Sequence, residues 1–153
     1  VSVSKEQVKE RVIRIIAASR FPFVDQKDWP DDYVTITNER EKRRGIDSPT
    51  GKVYPSIIIV YGADRVRELG EVEDEDTVTE DQVPKWKLLS EKTGMGRRTK
   101  KFFLYVPEGR EKMAEKLLES NHISYAGLRT WTIKSGNLII TPIKTPDEPK
   151  DHR

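Results

Sequence analysis

Two strand-like runs flank one amphipathic stretch in the second half of the chain, and this arrangement constrains the fold more than any other sequence feature. Phe102-Phe-Leu-Tyr-Val106 is apolar and aromatic throughout and closes at Pro107, and Leu128-Arg-Thr-Trp-Thr-Ile133 is again β-prone. Between them Met113, Ala114, Leu117 and Leu118 recur at helical spacing, which predicts a helix over about 108–120 ending near Asn121. A strand, helix and strand in that order form a crossover unit, whose two strands are predicted to pair in parallel.

The first half supplies the rest of a sheet. Val53 to Val60 is nearly continuous apolar and β-branched sequence, the pattern of a central strand covered on both faces. Tyr61-Gly-Ala-Asp64 turns it back into a second run, Val66 to Glu73, so the two predict an antiparallel hairpin at the centre of the sheet. Upstream, Tyr33-Val-Thr-Ile-Thr37 is a β-prone run, and Asp47-Ser-Pro-Thr-Gly51 is a dense turn signal. Ser4 opens an S-x-x-Q capping pattern with Gln7, and Val8, Val12, Ile15 and Ile16 form one helical stripe, predicting a helix over about 4–19 stopped by Phe21-Pro22. The segment from there to Asp32 reads as an ordered loop in which Phe21, Phe23 and Trp29 cover the core.

A second capping pattern, Thr79-Glu-Asp-Gln82, predicts a helix over about 80–93, with Pro84 either moving its start toward Gln82 or kinking it. Gly94-Met-Gly-Arg-Arg-Thr-Lys-Lys101 reads as a basic loop, and Leu138 to Thr141 as a last strand after a Lys-Ser-Gly-Asn hairpin turn. The resulting order, α-β-β-β-α-β-α-β-β, predicts an α/β fold with a mixed central sheet flanked by helices. Residues 1–144 are read as one domain, and the polar, Pro-bearing segment 145–153 as a disordered tail.

Composition narrows the chemistry. The 153 residues include no cysteine, which excludes disulfides, a thiol nucleophile and thiolate metal sites, and His122 and His152 cannot alone build a histidine-rich centre. A formal charge of +2 gives no global positive field, so any nucleic-acid contact must come from local clusters. The longest apolar runs are far below the roughly 18 residues that cross a bilayer, and VSVSKEQ lacks the apolar core of a secretory signal; the expectation is a soluble, cytoplasmic protein with no membrane contact.

Against that background one constellation stands out. Glu71 and Glu73 lie two apart on a strand, so their carboxylates project from the same face as Leu69, while Val72 points to the other. A two-residue turn at Ala63-Asp64 would pair 60 with 67, 58 with 69 and 56 with 71, placing Ser56 opposite Glu71 with Cβ atoms about 5 Å apart. Oxygen ligands at such a separation can converge on one hard cation such as Mg²⁺.

Tyr54-Pro55-Ser56-Ile-Ile-Ile-Val60, a turn, and Leu69-Gly70-Glu71-Val72-Glu73 together resemble the core of the PD-(D/E)xK nuclease superfamily, the restriction-endonuclease-like fold. The α-β-β-β-α-β order agrees with that core over roughly residues 4–133. The resemblance implies Glu71 as the acidic metal ligand, Val72 as a backbone-carbonyl ligand, and Mg²⁺ or Mn²⁺ as the cofactor. It also marks two departures: Glu73 stands at the lysine position, a replacement some restriction enzymes share, and Ser56 stands at the usual aspartate. Asp47 and Asp64 are substitutes for that aspartate only in neighbouring turns. Gln82-x-x-x-Trp86 resembles a Q-x-x-x-Y element of exonuclease-like branches, and Lys85 or Lys87 from the same helix could take the missing lysine's role. Glu6 and Glu10 project opposite the first helix's apolar stripe and are not assigned to the site.

Three functional expectations follow. The first is a metal-dependent nuclease using Glu71, Glu73, Ser56, Gln82 and Lys85, with Arg43, Arg44, Arg97, Arg98, Lys100 and Lys101 gripping nucleic-acid phosphates, DNA foremost. The second is a catalytically degenerate nuclease fold, without metal, that binds nucleic acid or acts as a scaffold. The third is a protein-interaction domain using the same sheet; a homodimer is a further expectation under any of the three. Each feature also has a plainer role: the acidic residues from Glu71 to Asp76 as a strand end and solvated helix start, the basic loops as solvated surface, His122 as a helix C-terminal cap, and Trp86 and Trp131 as core.

Overall fold

The structure, a computed structural model, describes residues 4–22, 29, 31–61, 65–93, 101–146 and 153. Helix α1 spans Lys5–Arg20 and begins as its sequence predicts: Gln7 N–H donates to Ser4 Oγ at 3.1 Å and Ser4 N–H to Gln7 Oε1 at 3.0 Å, a complete capping box. Its buried side chains are Val12, Ile13, Ile16 and Ala17, so the inward stripe is rotated from the expected one, with Ile13 and Ala17 inside and Ile15 at the margin. Phe21 packs edge-on against Phe103 with ring centroids 5.8 Å apart, and Trp29 packs on Tyr33; Phe23 lies outside the described residues.

Eight strands follow: β1 (Tyr33–Thr37), β2 (Ile46–Ser48), β3 (Gly51–Val53), β4 (Ile57–Tyr61), β5 (Arg65–Val72), β6 (Phe102–Pro107), β7 (Gly127–Lys134) and β8 (Asn137–Lys144). Six form one sheet in the order β1-β4-β5-β6-β7-β8, while β2 and β3 make a separate two-stranded hairpin. The apolar run 53–60 is therefore not one strand. Pro55 has no N–H to give a ladder, and the chain breaks there between β3 and β4. Asn38 closes the excursion between β1 and β4: its amide nitrogen donates to the carbonyls of Arg44 at 2.8 Å and Pro55 at 2.7 Å, and its Oδ1 accepts from the amides of Arg43 and Arg44.

The β4–β5 hairpin is antiparallel with Ile58 opposite Leu69 and Ile57 opposite Gly70, as expected, but Val60 faces Val66 rather than residue 67. Tyr61 opposite Arg65 leaves three residues in the turn, and a bulge between Ile59 and Val60 absorbs the extra one. Three plus one thus restores the register that a two-residue turn would have given. The crossover behaves as its pattern requires: β6 is parallel to both β5 and β7. Ser135 (φ 51°) and Gly136 (φ 79°) turn β7 into antiparallel β8, the left-handed pair that suits strand twist.

A 3-10 turn at Glu80–Gln82 leads into α2 (Val83–Lys92). Thr79 Oγ makes no cap; Gln82 N–H donates instead to the Thr79 carbonyl at 3.1 Å, and Pro84 in the first turn of α2 has no N–H that needs a partner. Helix α3 (Glu111–Ser120) starts three residues later than expected, after Gly109. It ends with His122 at φ 56° and with Ile123 N–H donating to Leu118 C=O at 2.9 Å, so His122 is the capping residue its position suggests.

Helices α2 and α3 bury Trp86, Leu89, Ala114, Leu117 and Leu118 against Ile58, Leu69 and Leu104 on one face of the sheet. Helix α1 covers the other with Ile57, Ile59, Val72, Phe103 and Tyr105. The fold is α/β, a mixed six-stranded sheet between helices. Among the described residues no helix is long and apolar enough to cross a membrane. Of the segment expected to be disordered, residues 147–152 lie outside the described residues, whereas Arg153 is buried.

Candidate functional site

The end of β5 carries three acids in a window that is otherwise core. Glu68, Glu71 and Glu73 are all buried, at 3%, 3% and 0% exposure. Strand alternation sends Glu71 and Glu73 to the α2 side with Leu69, and Glu68 to the α1 side with Gly70 and Val72. Because β4 starts only at Ile57, Ser56 lies one register step beyond the Ile57–Gly70 pair, beside Glu71. Ser56 N–H donates to Glu71 Oε1 at 3.0 Å and its hydroxyl donates to the same oxygen, while Ser56 Oγ accepts from Val72 N–H at 3.1 Å. The hydroxyl thus closes the ladder at the point where the strand pair runs out of backbone partners.

Helix α2 supplies the counter-charge. Its first turn places Lys85 Nζ 3.0 Å from Glu71 Oε2 and 3.0 Å from Glu73 Oε2, and the next residue, Trp86, donates its indole N–H to Glu73 Oε2 at 2.7 Å. Two carboxylates share one ammonium. Burial raises the Glu73 pKa above its ordinary value, and the neighbouring Glu71 charge adds to the rise; Lys85 and Trp86 oppose it. For Lys85, burial works against the charge, but attraction to Glu71 and Glu73 outweighs it and raises its pKa above the ordinary lysine value. Glu73 Oε1 is buried and has no hydrogen-bond donor among the described residues.

The backbone of Glu73 is also held. Its N–H donates to Tyr105 C=O at 2.9 Å, and its C=O would next accept from residue 107 in a parallel ladder. Pro107 has no N–H, and the Trp131 indole, on the strand position opposite Pro107, donates to that carbonyl at 3.0 Å instead. Both tryptophans read from the sequence as core residues are therefore also donors to Glu73, a role that only the coincidence of Pro107 and a β7 tryptophan hints at beforehand.

Ser56, Glu71, Glu73 and Lys85 are brought together. Val72 directs its backbone to the β4 side of the strand, where Ser56 meets its N–H. Gln82 sits at the start of α2, half-buried and engaged through its backbone, and Lys87 is exposed on another side of the helix. Asp47 is exposed on the small hairpin beside Lys52, at 3.9 Å, and does not join the cluster; Asp64 lies outside the described residues. Glu6 and Glu10 belong to α1, on the opposite face, and Glu10 pairs with Arg40 at 3.7 Å.

The expected phosphate contacts are scattered. Arg97, Arg98 and Lys100 lie outside the described residues; Lys101 is largely buried at the start of β6, its carbonyl accepting from Leu69 N–H, and is poorly placed to reach a phosphate. Arg43 and Arg44 have their amides fixed by Asn38, and Arg43 borders a surface hollow whose other cations face acids, Arg14 on Glu39 at 3.2 Å and Arg40 on Glu10. Charges there largely cancel.

The donor set can be compared with the needs of a hard divalent cation. Two buried carboxylates, one of them with an oxygen lacking a donor, suit such a cation. Among the described residues no three His, Cys, Asp or Glu side chains group at ligand spacing. Searches of family models, curated proteins and solved structures return no match to this chain.

Proposed function

We propose that the chain carries a nuclease-like site acting on nucleic-acid phosphodiesters with one divalent cation, on a restriction-endonuclease-like α-β-β-β-α-β core. The observation that carries the reading is Lys85: an ammonium from α2 stands 3.0 Å from both Glu71 and Glu73, where the missing strand lysine of an E-x-K arrangement would work. Glu71, Glu73 and the Val72 carbonyl would hold Mg²⁺ or Mn²⁺, which would supply Lewis-acid polarisation of a phosphoryl oxygen and a more acidic water. The chain's own part is electrostatic and positional. Trp86 and Lys85 fix the Glu73 carboxylate, Ser56 fixes Glu71, and Lys85, 24% exposed, offers a proton or a positive charge at the site's open side.

A specific observation favours a second reading, the degenerate domain. Ser56 uses its hydroxyl on Glu71 and Val72, so the position of the usual aspartate is spent on holding strand ends together. Cleavage of labelled single- and double-stranded DNA and RNA with Mn²⁺ separates the two. Loss of cleavage in both Glu71→Gln and Lys85→Met supports the nuclease reading; no cleavage by the wild type, with Ser56→Asp gaining Mn²⁺-dependent nicking, supports the degenerate one. Cleavage that persists in Glu71→Gln contradicts the site.

A further inference from the structure

On the α1 face of the same strand Glu68 meets a different cation, and the contacts there have the form of a recognition site. We propose that Glu68, Phe103 and Arg129 form a slot for an arginine, and that Arg153 of this chain fills it. The site is separate from the Glu71–Glu73 cluster, on the other face of the sheet.

Arg153 is read at three points. Its guanidinium pairs with the buried Glu68 carboxylate, and it lies over the Phe103 ring with its central carbon 5.0 Å from the ring centroid. Its carbonyl accepts from Arg129 Nε at 2.5 Å. Side-chain charge, planar face and main chain are thus each engaged, a combination that lysine cannot reproduce because it has neither the planar fork nor the stacking surface. Both ends of the intervening segment are on Arg129, since its Nη1 also donates to the Lys144 carbonyl at 3.0 Å, at the end of β8.

Room for this arrangement is built into β7. Arg129 is fully buried, and a Cβ at Gly127 would fall 2.8 to 2.9 Å from its guanidinium atoms, so any larger residue there would displace the guanidinium. Burying a carboxylate and two guanidiniums is costly unless each is satisfied, and an empty slot would leave Glu68 without its Arg153 partner in the core. The slot therefore selects for an occupant of one chemistry, a guanidinium with a main-chain carbonyl behind it.

The test uses the full chain. Arg153→Ala should lower the melting temperature by roughly 10 °C, the effect of breaking one side of a buried ion pair in a chain of this size, and Arg153→Lys should recover only part of it. An amidated, fluorescent peptide with the sequence of residues 145–153 should bind Arg153→Ala at least tenfold more tightly than the wild type. The same peptide ending in Lys should bind at least tenfold more weakly. An unchanged melting temperature, or equal binding of the two peptides, overturns the proposal. Should Arg153→Ala fail to fold, Arg153→Met with and without Glu68→Gln decides it: recovery of folding when the stranded carboxylate is neutralised supports the slot, and no recovery overturns it.

Discussion

Strand β5 buries acid on both of its faces, and the two faces treat it in opposite ways. On the α2 side two carboxylates share the single ammonium of Lys85, and Glu73 Oε1 is left without a donor among the described residues. On the α1 side one carboxylate, Glu68, pairs with Arg153 next to a second buried guanidinium, Arg129. The first sets two carboxylates on one ammonium, and the second sets one carboxylate beside two guanidiniums. Two carboxylates with an acceptor to spare suit a further cation, whereas paired guanidiniums suit backbone oxygens and an acidic partner already in place.

The largest expected effect breaks the α2-side cluster. Lys85→Met keeps most of the side chain's apolar stem but leaves Glu71 and Glu73 facing each other without a cation, and should cost about 3 kcal/mol in metal-free buffer at neutral pH, the low end for a buried pair because Lys85 is 24% exposed. Urea unfolding measures it. The loss should shrink as pH falls, since protonating one carboxylate removes the repulsion.

The sign of the wild-type pH dependence sharpens the comparison. Glu73 has a folded pKa raised by burial and by Glu71, so the native state holds its proton more firmly than the unfolded chain. Its contribution is fully favourable below the ordinary carboxylate value and is lost as pH rises through the higher folded value. Lys85 keeps its stabilising charge below the ordinary lysine value and loses it only at more alkaline pH. Metal-free stability attributable to this face should therefore decline upward from about pH 4.5, and Glu73→Gln should flatten that decline. A profile of urea midpoints from pH 4 to 8 for both proteins checks it.

Smaller effects are expected at the supporting donors. Ser56→Ala removes a hydroxyl that Glu71 accepts from and that Val72 N–H donates to, at about 1–3 kcal/mol, and Trp86→Phe removes one charge-assisted hydrogen bond to Glu73 at about 1–2 kcal/mol. At the bottom of the series, Lys5→Ala breaks an exposed pair with Asp76, and the urea midpoint should not move.

Much of the fold was legible because its signals are local. The Ser4–Gln7 box, the left-handed turn at Ser135-Gly136 and the apolar runs of β6 and β7 each act within a few residues. The pairing of β6 with β7 followed from the helix between them. What was not legible depends on distant partners. The break at Pro55 is stabilised by Asn38, and the register of Ser56 came right only because a bulge offsets a longer turn. Thr79 carried the capping signature, but its backbone rather than its hydroxyl took the Gln82 amide. At the candidate site, Lys85 was visible as one of two helix lysines, and the placement of Pro84 and the 3-10 turn decides that it, not Lys87, faces the carboxylates. Arg153 was invisible in a polar, charged segment, because composition reports the average of a stretch and not the single residue that finds a buried acid.

The central claim, that Glu71 and Glu73 form a cation site beside Lys85, is tested most directly by Mn²⁺ binding followed by electron paramagnetic resonance. The account predicts one weakly held Mn²⁺ per wild-type chain, at least tenfold tighter binding in Lys85→Met, where the competing ammonium is gone, and loss of that ion in Glu71→Gln and in Glu73→Gln. Equal Mn²⁺ binding by the wild type and both Gln variants, or no binding even in Lys85→Met, would contradict it.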